Sequence, residues 1–391
     1  MITVSEAKSI IAENVKSLSP VELPLSDAAG HTLAVDVISN LDIPPFPQSA
    51  MDGYAIIFDD KKEFFIRGEM AAGTSEQFTI QNGEAARIFT GAPLPAGADT
   101  VVMQEKVTVD EGKIFINDEK LSQGNNVRNK GAEIQEGTLA MSGNSYLSPA
   151  AVGFLASIGV EKVSVFPFPS VSIIVTGNEL QIPGEKLAYG KVYESNSFSL
   201  RAALQKAGVK EINILQAIDN LRVLSDKLEE ALQKSDVVLL TGGVSVGDYD
   251  FVIEASKACG VQQLFHKIKQ RPGKPLFFGM KQDKLVFGLP GNPSSVLNCY
   301  YNYVLPSLEI LSRRKNSVQI ISARLTNNYI KKAGLPHFLK GHFPDGSVTV
   351  LSGQESFQLS SFAQANCLIR LEEEGTNYVA NEMVEVLLLP L

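Results

Sequence analysis

Hydrophobic positions follow a helical period near the N-terminus and a shorter, strand-like period soon after. The helical pattern covers Ala7 to Leu18 behind a Thr3–Glu6 capping box, and returns from Pro149 to Ile158. Between them lie strand-like pieces separated by glycine and proline: EFFIRGEM, EAARIF, DTVVMQ and KIFIND. We therefore expect a split helical domain, residues 1–40 and 129–168, interrupted by an inserted β-domain, residues 41–128.

The middle of the chain alternates apolar runs with helical periods. The runs VSIIV, INILQAI, DVVLL, LFHKI and LVFGL are continuous, as in strands covered on both faces. Helical patterns follow them in FSLRAALQKAG, LRVLSDKLEEALQ, FVIEASKACG and SVLNCYYNYVLPSLEIL. This alternation predicts a doubly wound α/β domain over residues 169–313. Short strands return in residues 314–391 and predict a small C-terminal β-barrel. The fold class is thus multidomain α/β plus β.

Composition excludes several kinds of protein. The 391 residues are too many for one core, and the net charge of −8 argues against nucleic acid as a partner. Cys259, Cys299 and Cys367 fit no metal or disulfide spacing, so we expect buried thiols in a reducing compartment. No secretory signal and no apolar run of about 18 residues are present, so we expect a cytoplasmic protein with no membrane partner.

Four loops rich in glycine and polar residues follow predicted strands. They are Thr176–Leu180, Asp219–Asn220, Thr241–Asp250 and Pro290–Ser295. Ligands bind at the carboxyl ends of parallel strands, so these loops predict one binding edge. Glycines in TGGVSVGD let backbone N–H groups approach a phosphate, although a plain strand-to-helix turn explains the same residues. The candidates for substrate binding here are Asp219, Gly242, Gly243, Ser245, Gly247, Pro290, Pro293 and Ser294.

A basic segment and three acidic residues accompany these loops. Lys267, Lys269, Arg271 and Lys274 place four positive charges in eight residues of an acidic chain. A solvated surface would account for them, but their place between two predicted strands suggests that they hold phosphate or another oxyanion. Carboxylates in the same loops, Glu179, Asp219 and Asp250, would repel an anion unless a cation such as Mg²⁺ lay between. Helix capping is a sufficient explanation for Asp219 and Asp250, but it explains Glu179 poorly.

Six motifs occur in a fixed order and together resemble one family. They are SAMDGYA, TGAPLPAGADTVVMQE, TGNEL, TGGVSVGDYDF, RPGKP and GLPGNPSS. The chain is similar over essentially its whole length to the molybdopterin molybdenumtransferase (MoeA) family and to the related C-terminal domain of gephyrin. The resemblance implies a split helical domain, an inserted β-domain, a molybdopterin-binding α/β domain and a β-barrel.

The resemblance also implies a reaction and its site. Molybdenum from molybdate enters adenylylated molybdopterin, AMP leaves and molybdenum cofactor forms, with Mg²⁺ as cofactor. Its implied catalytic residues are Asp52, Thr90, Glu179 and Asp250. Glu179 and Asp250 are also the candidate metal ligands, and the sequence leaves open which carboxylate binds the metal. Lys267, Arg271, Lys274, Pro290 and Pro293 match the family's basic segment and strand-end loop. The implied partners are a second copy sharing a composite site, a separate molybdopterin adenylyltransferase, and apo-molybdoenzymes or their chaperones.

Three positions depart from the family pattern. Asn178 stands where Asp is frequent, which weakens residue 178 as a metal ligand. Arg271 stands where Lys is common, so a planar fork replaces a point charge. Ala132–Glu133 replaces the usual Glu–Asp, so Glu133 is the weakest metal-ligand candidate. Two alternatives stay open: a molybdopterin adenylyltransferase, because smaller proteins share the α/β domain, and a non-catalytic scaffold.

Overall fold

The chain forms two compact units. The structure, a computed structural model, describes residues 1–243 and 251–390. The α/β–barrel unit comprises Met1–Val21, Gly30–Thr32 and Val165–Leu391, and the insert unit comprises Glu22–Ala29 and Leu33–Ser164. Because the two predicted halves of the helical domain fall in different units for most of their length, the four domain boundaries stay a prediction.

Helices occupy both units. Their bounds are α1 (Val4–Asn14), α2 (Pro149–Ser157), α3 (Asn196–Lys206), α4 (Leu221–Lys234), α5 (Phe251–Ala258), α6 (Pro293–Cys299), α7 (Leu305–Leu311) and α8 (Leu359–Phe362), with a π-helical turn at Tyr300–Val304 between α6 and α7. The capping box is present at α1, since the Glu6 N–H donates to the Thr3 hydroxyl and the Thr3 N–H donates to the Glu6 carboxylate. That helix ends at Asn14, four residues before the predicted Leu18.

Strands of the first part of the chain are short. Their bounds are β1 (Val21–Pro24), β2 (Thr32–Leu33), β3 (Val37–Ile38), β4 (Gln48–Ser49), β5 (Gly53–Ile56), β6 (Glu63–Met70), β7 (Glu84–Ile88), β8 (Thr100–Met103), β9 (Val107–Asp110), β10 (Lys113–Ile116), β11 (Val127–Arg128), β12 (Leu139–Met141) and β13 (Lys162–Phe166). The insert unit has a six-stranded sheet in the order β8-β5-β7-β6-β10-β9. In β5, Tyr54 and Ile56 enter one apolar cluster and Ala55 enters another, so both faces of the sheet are covered.

A second six-stranded sheet forms the centre of the α/β–barrel unit. The strands of this part are β14 (Val171–Thr176), β15 (Leu180–Gln181), β16 (Val192–Tyr193), β17 (Ile212–Ala217), β18 (Val237–Thr241), β19 (Gln262–His266), β20 (Phe277–Lys281) and β21 (Lys284–Leu289). The sheet order is β17-β14-β18-β21-β20-β19. The first four strands are parallel, whereas β20 is antiparallel to both of its neighbours.

Helices cover both faces of this sheet, as the sequence predicts. Ile173 and Val175 point into a core shared with α1, α3, α6 and α7, and Ile174 points into the core formed with α4 and α5. Strand β20 was not predicted from the sequence, and it has a direct consequence for the site. An antiparallel β20 begins at the sheet edge where the parallel strands end, so the β19–β20 connection lies at that edge.

The C-terminal region is a closed barrel in the strand order β22-β25-β24-β26-β28. The bounds here are β22 (Gln319–Leu325), β23 (Tyr329–Ile330), β24 (His337–Asp345), β25 (Ser347–Val350), β26 (Cys367–Leu371), β27 (Asn377–Tyr378) and β28 (Met383–Leu388). The predicted barrel is confirmed, but β24 was not recognised. Cys299 and Cys367 are buried free thiols as expected, whereas Cys259 is only partly buried.

Candidate functional site

A cleft of about 890 Å³ opens at the carboxyl edge of the central sheet. Its walls come from the segments that follow β14, β17, β18 and β21, from the β19–β20 loop, and from two loops of the barrel region. The lining residues used below are Asn178, Glu179, Asp219, Gly242, Gly243, Gln270, Arg271, Gly273, Lys274, Pro290, Ser295, Gln354, Glu355 and Ser356. The predicted convergence of four strand-end loops is therefore present among the described residues.

Two of the four predicted cations reach the cleft. Arg271 and Lys274 line it, and both side chains are exposed. Arg271 lies 3.5 Å from the Glu355 carboxylate, an exposed pair of small energetic value. Lys267 and Lys269 are not among the lining residues, and Lys269 lies instead 3.9 Å from Glu373. The run of like charges is thus divided, with two side chains at the cleft and two outside it.

Glu179 and Asp219 bring negative charge to the same cleft. Asp219 is tied to Asn178 by two reciprocal bonds: the Asn178 N–H donates to Oδ2 of Asp219 at 3.2 Å, and the Asp219 N–H donates to Oδ1 of Asn178 at 3.3 Å. The Asn178 amide therefore joins the loops after β14 and β17. Within residues 1–243 and 251–390, no three His, Cys, Asp or Glu side chains lie close enough to hold a metal ion by themselves.

The glycines after β18 are required by close packing. Gly242 and Gly243 have φ values of +85° and +65°. A Cβ on Gly242 would lie 2.7 Å from the Thr176 carbonyl oxygen, so a side chain there would push β18 away from β14. The remaining predicted residues of this loop, Ser245, Gly247 and Asp250, lie outside the described residues.

The loop after β21 is only partly as expected. Pro290 lines the cleft, and Pro293 opens α6 without lining it. Ser294 is buried, and its hydroxyl donates to the Gln358 carbonyl at 2.8 Å. Its N–H donates to the Ser356 carbonyl at 3.0 Å, so this group is also engaged within the protein. A substrate role for the Ser294 side chain is therefore a poor fit to its position, whereas the neighbouring Ser295 does line the cleft.

A wall from the barrel region was missed by the sequence analysis. Gln354, Glu355 and Ser356 line the cleft. The buried Lys340 ammonium holds this loop, donating to the carbonyls of Glu355 at 3.2 Å and Gln358 at 3.1 Å. Burial lowers the Lys340 pKa. No local pattern in residues 337–345 shows that Lys340 is buried, because its partners at 355–358 are distant in sequence.

Asp52 and Thr90 form a separate corner in the insert unit. The Thr90 N–H donates to Oδ1 of Asp52 at 2.8 Å and the Thr90 hydroxyl donates to it at 2.9 Å. These bonds, the backbone one foremost, hold the pKa of Asp52 below its usual value, so the carboxylate is ionised at neutral pH. Arg87 donates to the Gly53 carbonyl at 2.8 Å. Glu133 also lies in the insert unit, exposed, with its N–H donating to the Ile43 carbonyl.

Fold and cleft together define a class of protein. Glycines at the end of β18, two exposed cations and two carboxylates at a parallel sheet edge suit a phosphorylated, anionic ligand. Residues 172–310 match the family model described as a probable molybdopterin binding domain. Within residues 1–243 and 251–390, no helix is long and apolar enough to cross a membrane.

Comparisons over the whole chain define the family. Residues 2–159 match the model of the MoeA N-terminal region, domains I and II, and residues 322–389 match that of the MoeA C-terminal region, domain IV. A molybdopterin molybdenumtransferase of Haemophilus influenzae is 33% identical over 99% of this chain and 98% of its own length. One of Staphylococcus aureus is 32% identical over 99% and 95%.

Solved structures agree with that assignment. A crystal structure of the molybdopterin biosynthesis MoeA protein of Pyrococcus horikoshii has a TM-score of 0.84 and 30% identity, and each chain is covered to 99%. A second structure of a MoeA protein from that organism has a TM-score of 0.81 and 28% identity, with 99% of this chain and 100% of the other covered. The chain belongs to the molybdopterin molybdenumtransferase (MoeA) family, whose members are enzymes of molybdenum cofactor biosynthesis.

Proposed function

We propose that this enzyme transfers molybdenum from molybdate into adenylylated molybdopterin, with release of AMP and of molybdenum cofactor. The observation that carries the proposal is the cleft at the carboxyl edge of the central sheet, which is large enough for a nucleotide-sized ligand and has Arg271 and Lys274 in its wall. Both substrates are anions, so a net acidic chain needs such a local pair of cations to bind them.

The residues of the cleft divide into two roles. Arg271 and Lys274 bind phosphate or molybdate oxygens, since a guanidinium and an ammonium both donate charge-assisted hydrogen bonds. Gly242 and Gly243 let the chain approach a phosphate closely, and Pro290 forms part of the same cleft wall. Asp219 is held by its bonds to Asn178 and accepts donors of the substrate. The catalytic roles of Asp52, Thr90, Glu179 and Asp250 rest on the family resemblance.

The donor set suits Mg²⁺. Glu179 and Asp219 supply oxygen ligands beside cations that hold an anion, and Mg²⁺ binds through one or two carboxylates together with substrate phosphates and water. Among the described residues, no three side chains form a metal site by themselves. A bound Mg²⁺ would therefore take its other ligands from the substrate and from water. When bound, Mg²⁺ neutralises charge on the phosphoanhydride. Asp250 is a further ligand candidate from the sequence, and Glu133 a weaker one.

AMP release tests this reaction. The purified protein is incubated with adenylylated molybdopterin and Mg²⁺, and AMP is quantified with and without molybdate. We expect molybdate to trigger release and the product to activate an apo-molybdoenzyme. AMP release at the same rate without molybdate, or none at all, would refute the proposal. Matched incubation with ATP and molybdopterin tests adenylyl transfer, which the full-length family match does not favour. A non-catalytic scaffold would be inactive in both assays.

We infer further that the working unit is a homodimer with composite sites. The segment 182–193 exposes a group of large apolar side chains: Ile182, Leu187, Tyr189, Val192 and Tyr193. Apolar groups clustered on so short a segment are typical of an interaction surface. In the composite arrangement, Asp52 of one subunit and Glu179 of its partner serve the same site.

Mixing two inactive variants tests the composite site. Asp52→Ala and Glu179→Ala chains are refolded together, and each is refolded alone as a control. In a symmetric dimer half of the molecules are mixed, and each mixed dimer regains one intact site, so activity returns to about a quarter of wild type. A mixture that contains heterodimers yet stays inactive would contradict shared sites, and a monomer in sedimentation would contradict the dimer.

The cellular setting belongs to the same proposal. Buried free thiols at Cys299 and Cys367 suit a reducing compartment, which supports the cytoplasm. A separate molybdopterin adenylyltransferase supplies the adenylylated substrate, and apo-molybdoenzymes or their chaperones receive the product. Neither nucleic acid nor a membrane is a partner.

A further inference from the structure

The basic loop, residues 267–274, has an inner side that the proposed reaction does not explain. Arg271 and Lys274 line the cleft with exposed side chains, whereas Gln270, which borders the same cleft, is completely buried. Burying a primary amide is costly unless its donors and acceptor are satisfied. The burial of Gln270 next to Arg271 in the basic loop therefore needs a reason.

Buried side chains hold two consecutive carbonyl groups of this loop. The Gln270 amide donates through Nε2 to the Gly273 carbonyl at 3.0 Å. The Asn298 amide donates through Nδ2 to the Pro272 carbonyl at 3.0 Å. Both carbonyls lie between Arg271 and Lys274, so the two amides fix the backbone from which both cations extend.

Tyr303 fixes Gln270 in turn. Its hydroxyl donates to Oε1 of Gln270 at 2.5 Å, and both side chains are buried. This bond orients the amide so that its Nε2 points at Gly273. Tyr303 lies in the π-helical turn between α6 and α7. π-turns displace side chains from the regular helical positions and often occur beside functional sites.

Close packing leaves the loop little freedom around Gly273. Gly273 has φ +89°, and a Cβ there would lie 2.6 Å from Sγ of Cys299 and 3.0 Å from Nε2 of Gln270. The loop backbone thus rests directly on Cys299 and on the amide that Tyr303 orients. A displacement of that amide therefore displaces the backbone segment that carries Lys274.

We propose that Tyr303 and Gln270 are positioning residues, which hold the basic loop so that Arg271 and Lys274 point at an oxyanion in the cleft. Neither side chain touches the substrate by this account; each acts through the loop backbone. The ligand part of the proposal rests on the proposed function, whereas the ordering of the loop does not.

The chain offers a matched control for Tyr303. Tyr300 lies in the same π-turn, is equally buried, and donates its hydroxyl to the Ala203 carbonyl of α3 at 2.9 Å. Tyr303→Phe and Tyr300→Phe each remove one buried hydroxyl from that turn. Their general effects on folding are therefore similar, but only Tyr303→Phe leaves Gln270 without its hydroxyl donor.

Hydrogen exchange tests the ordering of the loop. The N–H groups of Ile268 and Leu276 both donate to the Lys274 carbonyl, at 2.9 and 3.1 Å. We expect Tyr303→Phe and Gln270→Met to speed exchange in peptides covering residues 268–276, and Tyr300→Phe to leave those peptides unchanged. Equal exchange in both tyrosine variants, or no change in Tyr303→Phe, would overturn the positioning role.

Molybdate titration tests the consequence for the ligand. In the AMP-release assay, Tyr303→Phe should raise the molybdate concentration for half-maximal rate about tenfold, as the loss of one well-placed contact does, with little change in the maximal rate. Tyr300→Phe should leave both values near wild type. An unchanged molybdate requirement together with faster exchange would overturn the ligand part. A wild-type protein that ignores molybdate would instead refute the proposed function, and the exchange contrast would still decide the ordering.

Discussion

Asp52 in the insert unit and Lys274 in the α/β–barrel unit both stand beside glycine-containing turns, and their charges are held in different ways. The Asp52 carboxylate accepts two hydrogen bonds from Thr90, so its own oxygen is fixed. Lys274 has no ion pair within the described part of the chain; its backbone carbonyl accepts from Ile268 and Leu276, while the ammonium is exposed. The charge proposed for catalysis is thus placed by fixing the Asp52 carboxylate itself, whereas the charge proposed for binding is placed by fixing the Lys274 backbone.

The largest expected effect is the loss of stability caused by a substitution next to Asp52, at Gly53. A Cβ on Gly53 would lie 1.9 Å from the Val102 carbonyl oxygen, so Gly53→Ala must separate β5 from β8. We expect a loss of about 3 kcal/mol or more in unfolding free energy, because backbone atoms cannot move aside as side chains do. Urea unfolding measures it. Gly68→Ala is the control, since its Cβ would meet only the Phe78 ring at 3.3 Å. Equal stability of both variants would show that the corner tolerates displacement.

A substitution in the basic loop should cause a smaller loss of unfolding free energy. Gly273→Ala adds a methyl group against Cys299 at a position with positive φ. We expect a destabilisation of about 2 kcal/mol, from the φ penalty and the contact together, and a higher molybdate requirement. Gly260→Ala, with φ +74° and nothing within 4 Å of the added Cβ, measures the φ penalty alone. Should the two variants unfold alike, the contact with Cys299 has no energetic importance.

Acid should affect the barrel side of the basic loop before it affects Asp52. His337 precedes Phe338, whose N–H donates to the Arg271 carbonyl at 2.8 Å. Burial, with Lys331 and Arg271 nearby, lowers the pKa of His337 to about 4. In the folded protein His337 stays neutral at pH values where the unfolded chain is protonated, below about pH 6.5. The free energy of unfolding therefore falls as the pH drops from about 6.5 towards 4. Asp52, whose pKa is lowered, stays ionised throughout this window.

Urea unfolding at pH 7 and pH 4.5 measures the His337 contribution. His337→Gln should lose less stability between these pH values than wild type, by about 1–2 kcal/mol. Identical losses in the two proteins would show that His337 does not titrate with unfolding.

The smallest expected effect concerns the Thr90 hydroxyl. Thr90→Ala removes one of the two bonds to Asp52 but keeps the backbone N–H, the larger cause of the lowered pKa. We expect the Asp52 pKa to rise while staying below its usual value, and Thr90→Ser to restore it. Carboxyl chemical shifts followed through an acid titration measure this change. A rise to the ordinary value in Thr90→Ala would mean that the hydroxyl bond dominates.

Local patterns predicted the regular elements well and failed where distant contacts decide. Strand β24 was not recognised because Lys340 and Gly341 interrupt its apolar pattern. Lys340 is buried there by bonds to the loop 355–358, and a Cβ on Gly341 would meet Ile369 at 2.8 Å. Neither partner is near in sequence, so no local pattern contains the information.

The predicted helical segment from Ser295 to Leu311 is helical in the structure, but its π-turn was not predicted. The structure has α6, a π-turn and α7, with Pro306 in the first turn of α7. A proline lacks the N–H that a continuous α-helix needs, which favours an irregular turn before it. Four of the residues predicted from the sequence line the cleft: Arg271, Lys274, Glu179 and Asp219. The sequence could not show that Lys267 and Ser294 lie outside the cleft lining, because their positions depend on β20 and on the barrel region.

The central claim is that Asp52 acts in turnover and that Lys274 acts in binding. A comparison of Asp52→Asn with Lys274→Ala in the AMP-release assay tests this claim most directly. Asn keeps the acceptor for Thr90 and removes the charge, so the maximal rate should fall about a hundredfold while the molybdate requirement stays near wild type. Lys274→Ala should raise the molybdate requirement about tenfold and leave the saturated rate within a few-fold of wild type. If the two variants changed rate and requirement in the same proportion, the two regions would share one role and the account would be wrong.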